Sequence, residues 1–243
     1  MLTGFTAGKG APGATLAVAN VGAAGASRSQ RVVALDLDPA GGVLSAYLGG
    51  DPRKGLWPLA YGGVEPTPAA LVEQIQTLHR LAVIGGVPRA SDAAGIDLAE
   101  VARVGAGLGP HVLVDAGRLP GPGLAVLAMC ERIVLVVVRD PVGILAGEQA
   151  LQALGPALRR RVAIIVTGST AKAELAEVGE LVGVPVLGGV PWEPDEMRRA
   201  RQEQRPVTGR AERAYERLAD VIVPTARAQA APVASRKVIP DGA

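Results

Sequence analysis

A doubly wound α/β domain on one mostly parallel sheet is the fold that this 243-residue sequence predicts. Three observations carry the prediction. Short β-branched apolar runs alternate with helix-patterned stretches from residue 1 to about 224. The runs are continuous rather than alternating, as in parallel strands covered on both faces. Hydrophobic residues make up 49% of the chain, enough for the single core such a sheet needs.

The elements follow in order. A first short strand leads into "TAGKGAPGAT" and a helix over 14–25. "RVVALDLD" (31–38), "LAVIGG" (81–86), "HVLVDAG" (111–117), "RIVLVVV" (132–138), "RVAIIVTG" (161–168) and "VPVLGGVP" (184–191) read as further strands. "PTPAALVEQIQTLHRL" (66–81) reads as a helix with Thr67 as N-cap and Pro68 at the first helical position. Helices are also expected over 141–154, 171–182 and 209–223. "PDEMRRARQEQ" (194–204) begins with acids and turns basic, which suits a helix dipole. From about residue 225, "TARAQAAPVASRKVIPDGA" is small, polar and proline-containing, so a disordered C-terminal tail (225–243) is expected after a domain over 1–224.

Composition excludes several classes. Aromatic residues are 2% of the chain, too few for base-stacking or carbohydrate platforms. A net charge of +2 does not imply nucleic acid. The Arg-rich stretch 198–217 could touch DNA phosphates, but Glu196, Glu203, Glu212 and Glu216 interleave with its arginines, and a self-paired surface is the expectation. His79, read as helical, and His111 have no Cys or second His at ligand spacing. The single Cys130 beside an apolar run reads as a buried bystander. Without an apolar run long enough to span a bilayer, the expectation is a soluble, cytoplasmic protein. The tail's "SRKVIP" is too short for a membrane-surface helix.

Ligands of open parallel sheets bind beyond the carboxyl ends of the strands. Three polar features fall there: the glycine loop, Asp36 and Asp38 in "DLDPAGG", and Asp115 in "LVDAG". The loop admits two readings. Gly8, Gly10 and Gly13 satisfy the dinucleotide pattern G-x-G-x-x-G, with an acid at the end of the next strand. Alternatively the loop cradles phosphates, with Lys9 neutralising charge and Thr15 holding Mg²⁺ at the positive end of a helix that starts near Pro12. The second reading explains Lys9 and Thr15. The first, a nicotinamide-dependent oxidoreductase, lacks a Tyr/Lys pair, since none of Tyr47, Tyr61 or Tyr215 has a lysine four residues on. A plain strand-to-helix turn is the third reading.

The sequence resembles the MinD/ParA group of P-loop ATPases, whose deviant Walker A loop matches Lys9-Gly10-Ala11-Pro12-Gly13-Ala14-Thr15-Leu16. The group's switch segment matches Asp36-Leu37-Asp38-Pro39-Ala40-Gly41, its Walker B strand Val112 to Asp115, and its late segment "LVGVPVLGGVPWEPDEMRRARQEQRPV". The likeness is greatest to actinobacterial MinD-like proteins and to pilus-localising members of the CpaE/TadZ kind. The resemblance implies ATP or ADP with Mg²⁺ as cofactors. It implies Lys9 and Asp38 as catalytic residues, Lys9 reaching across a homodimer and Asp38 positioning water. It gives Thr15 and Asp115 to Mg²⁺, the run from Gly8 to Leu16 to the phosphates, and the segment from Pro191 to the adenine pocket. Partners would be a second copy and a protein of a secretion, pilus or partition system. Two departures bear on activity: Ala14 stands where the group has a phosphate-gripping lysine, and Ala11 replaces a loop glycine. Weak or absent hydrolysis is therefore expected, with a nucleotide-free pseudo-ATPase scaffold as the alternative.

Overall fold

The computed structural model describes residues 1–8, 13–28 and 30–224. The loop residues Lys9, Gly10, Ala11 and Pro12 and the tail from 225 lie outside them, so expectations about those positions are not addressed by the structure. Eight strands form one sheet: β1 (Leu2–Gly8), β2 (Val32–Asp36), β3 (Gln76–Leu78), β4 (Leu81–Ile84), β5 (His111–Leu119), β6 (Arg132–Val138), β7 (Val162–Thr167) and β8 (Val186–Val190). Their order is β3-β4-β2-β5-β1-β6-β7-β8, parallel except for β3. The helices are α1 (Ala14–Ser27), α2 (Leu44–Tyr47), α3 (Trp57–Tyr61), α4 (Pro68–Glu73), α5 (Ala90–Ala93), α6 (Leu98–Gly105), α7 (Gly123–Ala128), α8 (Pro141–Arg159), α9 (Lys172–Val182), α10 (Pro194–Gln202) and α11 (Gly209–Ile222).

The sheet is covered on both faces, as its continuous apolar strands require. On one face Val33, Leu35, Val112, Val114, Ile133 and Leu135 lie in a cluster with Val101, Leu127 and Leu151 of the helices α6, α7 and α8. On the other, Phe5, Ala34, Leu113 and Val134 share a cluster with α1 and α11, including the buried Tyr215. β1 and β5 are buried along almost their whole length, which places the residues at their carboxyl ends at the middle of the sheet edge.

One predicted helix is corrected. Thr67 does cap it, accepting from the Ala70 N–H, and Pro68 does open it, but it ends at Glu73. Residues 76–78 instead pair antiparallel with β4 through a tight turn in which His79 (φ 47°) and Arg80 (φ 68°) are both left-handed. His79 is thus a turn residue, and its ring lies 3.0 Å from the Gln204 carbonyl oxygen. The pairing of β4 overrides the local helical pattern, because an edge backbone gains a ladder that a solvated helix turn does not offer. A second correction is that the strand containing Asp36 ends there, so Asp38 belongs to the following turn.

Of the seven arginines of 198–217, Arg198, Arg199, Arg205 and Arg210 pair with acids in the structure, and among the described residues Glu212 and Glu216 do not take part. Glu196 accepts from Arg205 Nη1 (2.7 Å), from Thr208 N (2.7 Å) and from Thr208 Oγ1 (2.8 Å), while Arg199 lies 3.4 Å away. The Arg205 hydrogen bond, aided by Thr208, holds the Glu196 carboxyl down at about 2. A depressed acid stabilises the fold above its ordinary pKa, and that contribution is lost as pH falls from 4.5 toward 2. Glu196→Ala is expected to lower the unfolding free energy in urea by about 2 kcal/mol, since it removes the acceptor that Arg205 and Thr208 share. Glu203→Ala, at an exposed pair with the same Arg205, is expected to cost below about 1 kcal/mol. Equal losses would show that Glu196 does not hold the turn between α10 and α11.

Candidate functional site

The site is built at the carboxyl ends of β1, β2 and β5. β1 ends at Gly8, which packs so close to α8 that a Cβ there would stand 2.4 Å from the Ala146 carbonyl oxygen. Gly13 begins α1 with φ 140°, a conformation that needs glycine, and a Cβ would meet Val136 Cγ1 at 2.9 Å. The free N–H groups at the start of α1 therefore face the same edge as the ends of β1 and β5. Ala14 is the first helical residue and its methyl is buried; Leu16 is half-buried beside it. Thr15 Oγ1 donates to Asp115 Oδ2 at 2.5 Å. Asp115 Oδ1 accepts from Gly117 N at 3.0 Å.

Three carboxylates lie near this edge and feel one another's charge. Asp36 and Asp115 are register partners on adjacent strands and each is 1% exposed. Burial, then the charge of Asp115, pushes Asp36 up to about 7. Burial, opposed by the Thr15 and Gly117 hydrogen bonds, pushes Asp115 up to about 6. Asp36 accepts from Leu44 N (2.8 Å) and Asp38 N (3.3 Å), so it anchors both ends of the loop that carries Asp38. Asp38 itself folds over the end of β5. A Cβ on Gly117 (φ 69°) would stand 2.3 Å from Asp38 Oδ1, so glycine is required there. The sequence pointed to both Asp36 and Asp38 but gave the active role to Asp38. The structure makes Asp36 the buried organiser and Asp38 the more accessible acid.

Sequence reasoning missed a second cluster at this edge. Ser169 Oγ donates to Glu174, whose other oxygen lies 3.1 Å from Arg139 Nη2, joining the ends of β6 and β7. The signal was present in Arg139 and Gly168-Ser169 closing adjacent strands, but no spacing rule links them to Glu174. Pro191 follows β8 and Trp192 is 54% exposed, on the side of β1 away from the acids.

The dinucleotide reading conflicts with the strand order. In that fold the strand bearing the ribose-binding acid lies next to the first strand. Here β5 separates β2 from β1, and Asp115 stands between the loop and Asp36. Backbone superposition identifies the fold. The fold is that of the ParA and MinD ATPases. The chain superposes on a ParA family ATPase from Chlorobium tepidum with TM-score 0.77 at 18% identity, covering 92% of this chain and 99% of that one. The septum site-determining protein MinD from Pyrococcus horikoshii, complexed with Mg-ADP, gives TM-score 0.76 at 19% identity, covering 96% and 100%. Cobyrinic acid a,c-diamide synthase from Mycobacterium smegmatis, with bound ADP and magnesium, gives 0.67 at 19%, covering 92% and 94%. No protein-family model and no curated protein matches the sequence.

Within the ParA/MinD fold, the oxygen donors at this edge suit a hard cation. Among the described residues no three His, Cys, Asp or Glu converge to hold a metal alone. A hydroxyl and one carboxylate, Thr15 and Asp115, fit Mg²⁺, which keeps waters and phosphate oxygens as its other ligands. None of the described helices is long and apolar enough to cross a membrane.

Proposed function

We propose that this protein binds ATP or ADP with Mg²⁺ through residues 1–224, hydrolyses ATP weakly or not at all, and acts as a dimerising spatial organiser. The settings are the localisation of a pilus or secretion machine, or chromosome or plasmid partitioning. The observation that carries the nucleotide reading is the Thr15–Asp115 hydrogen bond at the start of α1. It joins a glycine-led helix N-terminus, which favours phosphate, to a carboxylate that would hold a cation.

Bound Mg²⁺ would neutralise phosphate charge. Thr15 and Asp115 would hold the ion, and the N–H groups from Gly8 to Leu16, apart from Pro12, which has none, would receive the phosphates. Asp38, carried on the loop that Asp36 anchors, would orient a water. Lys9 would reach the phosphates of a facing copy, and Pro191 would line the base. Ala14, buried in the core, offers the phosphates no charge, which favours the second reading, a scaffold that binds no nucleotide.

Calorimetric titration with ATP, with and without Mg²⁺, separates the two. Mg²⁺-dependent heat that Thr15→Ala weakens by about 10-fold or more supports the first. Absence of binding up to millimolar ATP supports the scaffold.

A further inference from the structure

The two edges of the sheet are finished differently. β3, at one edge, is three residues long and closes a hairpin. β8, at the other, is five residues long, carries no charge, and pairs among the described residues only with β7. Four of its residues are half-buried, where the interior positions of β6 are fully buried. Its pairing with β7 shifts register between Val186 and Gly188, and the outer side of this irregular apolar edge is open to a further strand. Grooves flank it on both faces. A groove of about 640 Å³ runs between α9 and β8 and is bordered by Lys172 and Glu180. A smaller one, about 170 Å³, lies between β8 and α11. Leu175, Leu187 and Gly188 line both.

The charges orient an occupant. Gly179 packs on Val186 and Leu175 on Gly189, so α9 runs opposite to β8. Glu180 therefore borders the amino end of β8 and Lys172 the carboxyl end. Eight residues of helix separate them by about 12 Å. In a strand that distance is about four residues, and residues i, i+2 and i+4 share one face. A strand parallel to β8 would match with a cation first, an apolar residue two on and an acid two further. Its intervening side chains, facing the smaller groove, would be of modest size.

Residues 237–241, outside the described part of the chain, read Lys-Val-Ile-Pro-Asp. We propose that the open edge of β8 is the docking site for this segment of the same chain. Lys237 would meet Glu180, Ile239 would enter the large groove and Asp241 would meet Lys172. α11 ends at the amino end of the sheet, where Arg132, the first residue of β6, donates to the Val221 carbonyl. β8 is two strand spacings from β6, about 10 Å, and the twelve residues 225–236 span up to about 40 Å when extended. Proline is tolerated on such an edge where its missing N–H faces solvent.

The test is amide hydrogen exchange of β8 in the full chain, read at amides not bonded to β7. Ile239→Asp, which leaves the folded domain untouched, is expected to speed their exchange by about 10-fold or more. Lys237→Glu is expected to do the same, and adding Glu180→Lys to it to restore the slow exchange. Exchange rates unaltered by Ile239→Asp, or a charge swap that fails to restore protection, would overturn the proposal. Protection that rises with protein concentration would overturn it too, by assigning the strand to a second copy.

Discussion

Ala14→Lys is expected to raise ATP affinity by about 10- to 100-fold. Ala14 opens α1, where the helix N-terminus already supplies partial positive charge. A lysine there adds a full charge within reach of the phosphate oxygens, worth roughly 1.5–3 kcal/mol for one charge-assisted contact. The gain in turnover should exceed the gain in affinity, because charge on the transferring phosphoryl group and its leaving oxygen builds as the bond breaks. In the proposed reading Thr15 and Asp115 would hold the cation and the Asp36-anchored loop bearing Asp38 would orient the water for that step. Adding Asp38→Ala should remove the gain in turnover and keep the gain in binding. Calorimetry and phosphate release measure the two separately. If Ala14→Lys binds ATP no better than the parent, the loop does not hold phosphates this way and the opening stretch is a glycine-rich turn.

Asp115→Asn is expected to stabilise the ligand-free protein at pH 8 while abolishing Mg²⁺-dependent nucleotide binding. Asp36 and Asp115 titrate near 7 and 6 in the fold, against an ordinary 3.8. An acid raised by folding opposes folding once it ionises. The penalty is absent below about pH 3.8 and complete above about pH 7, so stability should fall as pH rises through that window. Asparagine keeps both local hydrogen bonds: its oxygen can still accept from Gly117 N, and its amide can donate to Thr15 Oγ1. It also relieves Asp36 of a neighbouring charge, the second cause of that residue's shift. The variant should gain on the order of 2–3 kcal/mol at pH 8 and almost nothing at pH 4. Urea unfolding in EDTA across that range checks it. A variant that tracks the parent at every pH would show that the two acids do not oppose each other. Such a pair fits a site that waits for a cation, since the bound ion would remove the repulsion.

The sequence alone determined the parallel α/β fold, because continuous apolar strands and capped helices are local patterns. Thr67 and Pro68 marked a helix start that the structure keeps. The sequence put Thr15 and Asp115 at one sheet edge, because each follows a strand that ends there, and the structure joins them by a hydrogen bond. Three things were decided only in the tertiary structure. Residues 76–78 became a strand because β4 offered an edge to pair with, a partner that no helical window can see. Glu196 became the hub of the turn between α10 and α11 because the chain reverses there, bringing in Arg205 and Thr208 from beyond helical spacing. The meeting of Asp36 with Asp115 followed from the strand order, which sets β5 between β2 and β1. Strand order arises from how crossovers pack across the whole sheet, so carboxylates 79 positions apart in sequence become neighbours with no trace of it in either local stretch.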